Sequence, residues 1–352
     1  MPIAHPTPTP DWLALLRGVS RSFYLSIRLL PAAVQAPVAV GYLLARATDT
    51  VADTTALPGT TRLDLLISLT QAIALPASPP AALAKNLQDF AAAQQDPAEQ
   101  ALMTALPQAL ALLQALPAAD RADVQQVLHV ISSGQQLDLQ RFGQGLHALA
   151  SADELDDYTW RVAGCVGEFW TRVCARHLPG FASLPVQDLL RMARRYGQGL
   201  QRLNLLRDSA ADLAQGRCYW PADALARHGL EPAALAQAVA KGDGTTLGRL
   251  HALYQHALDL VRAELEDGLR YSQALQPWRL RAASVLPALI GMRTVAGLQN
   301  LGPMALSRPH KVPRREVYGL LLQLPWALTD PGRLQALFDR AGRQSGPARI
   351  AA

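Results

Sequence analysis

Two pairs of aspartates, each set four residues apart, are the side chains best placed for chemistry: Asp49 and Asp53 in RATDTVADT, and Asp208 and Asp212 in NLLRDSAADLAQGRCYWP. On an α-helix that spacing puts both carboxylates of a pair on one face, about 6 Å apart along the axis. Like charges so placed repel, and an Ala- and Leu-rich helix offers little to offset them. A Mg²⁺ ion held by hard oxygen ligands is the expected partner. The second pair stands among Arg202, Arg207 and Arg217, which points to a bound metal that carries an anion such as a diphosphate. One such pair alone describes a solvated helix face more readily than a site. Two of them, each beside arginines and inside apolar helix, favour a metal and diphosphate site.

Carboxylates at this spacing need long helices to hold them, and the composition provides for those. Of 352 residues, 50% are hydrophobic and only 6% aromatic. The apolar content is mostly Ala and Leu, which favour helix over strand. LLISLTQAIAL, DVQQVLHVISSGQQLDL and LHALYQHALDLVRAEL repeat their apolar positions every three to four residues, as amphipathic helices do. No run alternates Val, Ile, Thr and aromatic residues, so no sheet is expected. Proline, glycine and small polar residues cluster at 57–61, 76–80, 143–153, 179–185, 216–221, 242–246 and 302–313, marking breaks between helices. The expectation is one all-α bundle of roughly ten helices, with the two Asp-bearing helices facing each other across a central cavity. Residues 1–11 read as a proline-rich disordered tail, 12–330 as the helical domain and 331–352 as a C-terminal tail.

The net charge of +5 suits an anionic ligand or surface, but the basic residues are dispersed, which argues against nucleic acid. Cys165, Cys174 and Cys218 form no C-x-x-C and imply no disulfide framework, so a reducing, cytoplasmic compartment is expected. The start, MPIAHPTPTPDW, lacks the basic and apolar regions of a signal peptide. No stretch approaches the roughly 20 apolar residues of a membrane span. Residues 282–292, closed by Arg293, and 317–328, broken by Pro325, read as core helices. For the second, peripheral contact with the inner face of a membrane stays open if the substrate is a lipid. In YTWRVAGCVGEFW, Ala163, Gly164 and Gly167 admit the close approach of either a neighbouring helix or a ligand, and Gly134 does the same beside Asp138.

In order along the chain, SRSF at 20–23, YLLARATDTVAD at 42–53, GQQLDL at 134–139, YTWRVAGCVG at 158–167 and QRLNLLRDSAADLAQGRCYWP at 201–221 resemble the motif blocks of the squalene/phytoene synthase family. Those enzymes join two prenyl diphosphates head to head on an all-α fold of the isoprenoid synthase type. The resemblance implies that Asp49 and Asp53 bind Mg²⁺ on one diphosphate and that Asn204, Asp208 and Asp212 form a second metal-binding face. It further implies that Ser20, Arg21, Ser22, Phe23, Arg46, Gln201, Arg207 and Arg217 hold substrate diphosphate, and that Tyr42 and Tyr158 line the reacting centre. SRPHKVPRREV at 307–317 resembles the family's basic segment for NADPH phosphate, with Lys311, Arg314 and Arg315 as candidates. SRSF and ARATDTVAD look closer to the squalene-forming branch, although Ala52 stands where squalene-forming relatives often carry an acid. Trp160 and Arg161 also depart from residues that are often aromatic or small in the family's block.

The expected activity is therefore Mg²⁺-dependent condensation of two farnesyl diphosphates through presqualene diphosphate, with NADPH reduction to squalene. Phytoene synthesis, a non-reducing presqualene diphosphate or hydroxysqualene synthase and, more distantly, a non-catalytic all-α scaffold are the alternatives.

Overall fold

Helix dominates, as the Ala and Leu content requires, from Ala32–Asp53 through Pro331–Ala341. The computed structural model describes residues 16–17, 24, 27–28, 30–54, 57–75, 81–142 and 145–343. Ser20, Arg21, Ser22 and Phe23 lie outside the described residues. The expected proline-rich breaks do more than end helices, because prolines also begin them. Pro31, Pro58, Pro117, Pro185, Pro221, Pro277 and Pro313 each stand at an N-cap in extended conformation. The Pro58, Pro117 and Pro277 carbonyls accept the first helical bonds, from the N–H groups of Arg62, Arg121 and Arg281 at 2.9 to 3.0 Å. The chain divides into two compact units, residues 1–143 with 165–181 and residues 144–164 with 182–352.

The first unit contains Ala32–Asp53, Gly59–Ala74, Ala81–Ala92, Pro97–Thr104, Leu106–Ala115, Ala118–Arg141 and Cys165–His177. Its core is built from periodic positions such as Leu43, Leu44, Ala47 and Val51, Leu66 and Leu69, and Val124 and Leu128. One buried charge network fastens its last helix. Asp120, fully buried in the first turn of Ala118–Arg141, accepts from Arg176 Nη1 at 2.7 Å and lies 2.8 Å from His177 Nε2. Arg176 also reaches Asp123 at 2.5 Å. Removing one member would strand buried charge, so the network specifies how Cys165–His177 docks.

The second unit is organised on the long helix Val186–Ala214, which two elements approach at glycines. A Cβ at Gly199 would stand 2.5 Å from Glu264 Cβ on His251–Ala274, and a Cβ at Gly197 would stand 2.5 Å from the Ala163 carbonyl oxygen. Ala163 and Gly164 belong to a π-helical turn, Trp160–Gly164, that follows Ala152–Thr159. Their small size therefore serves the close packing of helices, which settles the choice left open for them by the sequence. Trp278–Leu301 is a core helix, as expected, burying Leu280, Val285, Leu289, Val295 and Leu298.

Three expectations are corrected. A two-residue parallel strand pair exists, with His147 beside Arg217 and Ala148 beside Cys218. It is too short for any alternation to announce it, and it is set by Gly216, at φ 79°, where a Cβ would meet the Gly145 carbonyl oxygen at 2.4 Å. Pro325 does not break its helix, which runs Arg314–Ala327. Residue 331 begins no tail: Pro331–Ala341 is a helix with Leu334, Leu337 and Phe338 buried in the same core as Leu289 and Met292. No helix among the described residues is long and apolar enough to cross a membrane.

Candidate active site

Tyr42, Arg46, Asp49 and Asp53 follow one another at helical spacing along Ala32–Asp53 and share a stripe of that helix. Tyr42, Arg46 and Asp49 are half-buried, and Asp53 is exposed. Gln135, from Ala118–Arg141, donates through Nε2 to Asp49 Oδ1 at 2.5 Å. Burial, with the neighbouring Asp53 charge second, pushes Asp49 up to about 6, against the opposing pull of Arg46 and Gln135. The shift is led by burial, with the two carboxylates of the pair repelling each other. Arg46, expected on phosphate, pairs through Nη2 with Glu99 Oε1 at 2.5 Å, and its buried Nε has no hydrogen-bond partner.

The second stripe runs Gln201, Asn204, Asp208 and Asp212 along Val186–Ala214, all half-buried. Arginines neutralise both aspartates. Arg207 Nε and Nη2 reach Asp208 Oδ1 and Oδ2 at 2.9 and 2.6 Å, a forked pair that raises the Arg207 pKa. Arg217 Nη2 lies 3.1 Å from Asp212 Oδ1, delivered there by the Gly216 turn. In the second pair the arginines offset the repulsion from which the sequence argument for a metal began. Arg202 is corrected outright. It is buried, donating to Glu264 and to Asp156, and does not belong to the acidic stripe.

Tyr158 is buried, its hydroxyl donating to that of Tyr219 at 3.3 Å, with the rings stacked at 5.0 Å between centroids. It closes Ala152–Thr159 just before the π-helical turn, an irregularity common at functional sites. Trp160, in that turn, lies between cations, 6.0 Å from Arg161 and 5.1 Å from Arg194. Arg161 in turn pairs with Asp157 at 2.8 Å. Lys311, Arg314 and Arg315 are exposed, with Lys311 in the link after Gly302–Ser307 and both arginines opening Arg314–Ala327.

Sequence reasoning gave no role to Gln135, Glu99 or Tyr219. Gln135 and Tyr219 lay inside the GQQLDL and CYWP motifs and could have been singled out there. Glu99 carried no signal beyond its place in the first turn of Pro97–Thr104. Among the described residues no group of three or more His, Cys, Asp or Glu side chains is arranged to hold a metal. Mg²⁺ is nevertheless commonly bound by one or two carboxylates together with substrate phosphate and water. Asp49, Asp53 and the buried, unpartnered Gln135 Oε1 are donors of that hard class. So are Asn204, Asp208 and Asp212, and the residues present fit the ion.

A family model for squalene/phytoene synthase matches residues 16–316 of the chain. The squalene synthase ERG9 of Saccharomyces cerevisiae is 26% identical over 207 residues, 59% of this chain and 44% of that protein. A bifunctional lycopene cyclase/phytoene synthase of Colletotrichum graminicola is 28% identical over 225 residues, 62% of this chain and 35% of that protein. The chain therefore spans less than half the length of these relatives. In fold it is similar to a solved TcSQS complex with the ligand BPH1237, with a TM-score of 0.73 at 18% identity, covering 94% of this chain and 89% of that one.

Proposed function

The chain belongs to the squalene/phytoene synthase family, and on that footing we propose that it is a squalene synthase that joins two farnesyl diphosphates and reduces the product. The observation that carries this reading is the pair of acidic stripes, complete at Asp49, Asp53, Asn204, Asp208 and Asp212, inside the region that the family model matches. A non-catalytic scaffold would have no need to retain these polar groups, least of all Asp49 at its raised pKa.

Mg²⁺, when bound by either stripe, supplies positive charge that stabilises a departing diphosphate. The chain's own residues do the rest. Asp49 and Asp53 on one helix, and Asn204, Asp208 and Asp212 on another, turn oxygen ligands toward diphosphate. Arg207 and Arg217 exchange their carboxylate partners for phosphate oxygens, and Arg46 offers its unpartnered Nε. As the C–O bond of the first substrate breaks, its electron pair leaves with the diphosphate. The double bond of the second substrate attacks the allylic cation, and loss of a proton closes a cyclopropane. The family resemblance gives Tyr158, whose hydroxyl donates to that of Tyr219, the role of helping to move the proton. Lys311, Arg314 and Arg315 offer cations for the phosphates of NADPH, the hydride source of the reductive step. A second reading, phytoene synthesis from a longer prenyl diphosphate, is favoured by the relative whose name includes that activity.

The test is product analysis after incubation with farnesyl diphosphate and Mg²⁺, with and without NADPH. Squalene formed only with NADPH is the expected result. Presqualene diphosphate or hydroxysqualene as end product in both incubations overturns the reductive assignment, and turnover restricted to geranylgeranyl diphosphate favours the second reading.

A further inference from the structure

The helix Arg314–Ala327 has two apolar faces. Leu320, Leu324 and Ala327 are buried in the core of the second unit. Tyr318, Leu321, Leu322, Pro325 and Trp326 are exposed, and their spacing of i, i+3, i+4, i+7 and i+8 makes them one continuous stripe. The exposure is large for such residues: 61% for Tyr318, 83% for Leu322 and 55% for Trp326.

Cations close both ends of this stripe. Arg314 and Arg315 stand one turn before Tyr318 on the same face, and both are exposed. At the far end the Arg333 guanidinium lies 4.6 Å over the Trp326 ring. The acidic groups nearby are already engaged. Glu316 pairs with Arg293, and Asp330 caps the next helix by accepting from the Arg333 N–H at 2.9 Å. Another exposed tryptophan, Trp278, is one turn from Arg281, whose Nη1 donates to the Leu328 carbonyl at 3.2 Å.

A helix with Leu, Tyr and Trp along one solvent-facing stripe and arginines at its ends has the composition of helices that lie in a bilayer interface. Phosphate groups of a dinucleotide would account for Arg314 and Arg315, but not for the apolar side chains that continue from them. A second copy of the chain fits poorly, because both ends are basic and either orientation of a self-pair sets cation against cation. We propose that this face docks the protein on an anionic lipid surface, with Arg314, Arg315 and Arg333 on headgroup phosphates and Tyr318, Leu321, Leu322 and Trp326 at the acyl boundary. Arg314 and Arg315 are also the cations offered to NADPH in the proposed function, so the vesicle experiment is run without NADPH and reads lipid binding alone.

The experiment is co-sedimentation of the full chain with vesicles of phosphatidylcholine alone and of phosphatidylcholine with phosphatidylglycerol. Binding is expected on the anionic vesicles and falls with salt. Leu322→Ser/Trp326→Ser lies on solvent-facing positions, so its melting curve is expected to match the wild type while anionic-vesicle binding falls about tenfold or more. Arg314→Gln and Arg315→Gln each weaken that binding roughly fivefold. Wild-type and Leu322→Ser/Trp326→Ser sedimenting equally with anionic vesicles overturns the proposal. So does a wild-type dimer, seen by analytical ultracentrifugation, that this variant dissolves while no form of the protein binds vesicles.

Discussion

Cutting the Arg202 network should reveal how tightly the chain fixes the helices that carry its candidate site. Arg202 and Glu264 are 5% and 2% exposed, and Arg202 donates to both Glu264 and Asp156. These contacts tie Val186–Ala214, bearing the second acidic stripe, to Ala152–Thr159, bearing Tyr158, and to His251–Ala274. Gln198 adds a bond to the Asp156 carbonyl at 3.1 Å. Glu264→Leu leaves Arg202 buried with only the exposed Asp156 as counter-ion, and should cost about 3 to 5 kcal/mol. Arg202→Met should cost less, about 1 to 3 kcal/mol. The reason is that burial already pushes Glu264 up to about 7 against the pull of Arg202, so the stranded acid can take a proton. Arg202→Met/Glu264→Leu removes both charges and should return to within about 1 kcal/mol of the wild type. The assay is urea denaturation of the four proteins followed by circular dichroism. Single losses that add to within about 0.5 kcal/mol in the double variant would refute the network as a coupled unit.

Two further outcomes follow from the site. Without Mg²⁺, the folded chain holds the Asp49 proton more tightly than the unfolded chain, since burial and Asp53 raise its pKa from 3.8 to about 6. That contribution to stability is fully present below 3.8 and lost as pH rises through about 6, so Asp49→Asn should flatten the fall in melting temperature over this window. An unchanged pH profile in the variant would remove Asp49 as the source. Gly216→Ala forces a side chain into φ 79° with its Cβ 2.4 Å from the Gly145 carbonyl oxygen. It should destabilise by about 2 kcal/mol and raise KM for the diphosphate by displacing Arg217 from beside Asp212, both read by melting and steady-state kinetics.

The helices and both acidic stripes were legible because each depends on spacing within one segment. Ion-pair partners were not, because they depend on residues far apart in sequence: Arg46 and Glu99 are separated by 53 positions, Arg202 and Glu264 by 62. Helical geometry separates Arg202 from the second acidic pair. Two residues along, Asn204 is roughly 200° around the helix from it, so the two cannot share a face. The helix Pro331–Ala341 has a sequence sign as well, since Leu334, Leu337 and Phe338 recur at i, i+3 and i+4 and are its buried face. The Tyr158 to Tyr219 contact required the π-helical turn and the short strand pair, neither of which has a sequence period.

The central claim is that the two acidic stripes are catalytic, and it is tested most directly by Mg²⁺-dependent release of pyrophosphate from farnesyl diphosphate. Asp49→Asn and Asp208→Asn should each lower that release by about 100-fold or more while keeping the helical circular dichroism of the wild type. Near-normal release by both variants would contradict the account.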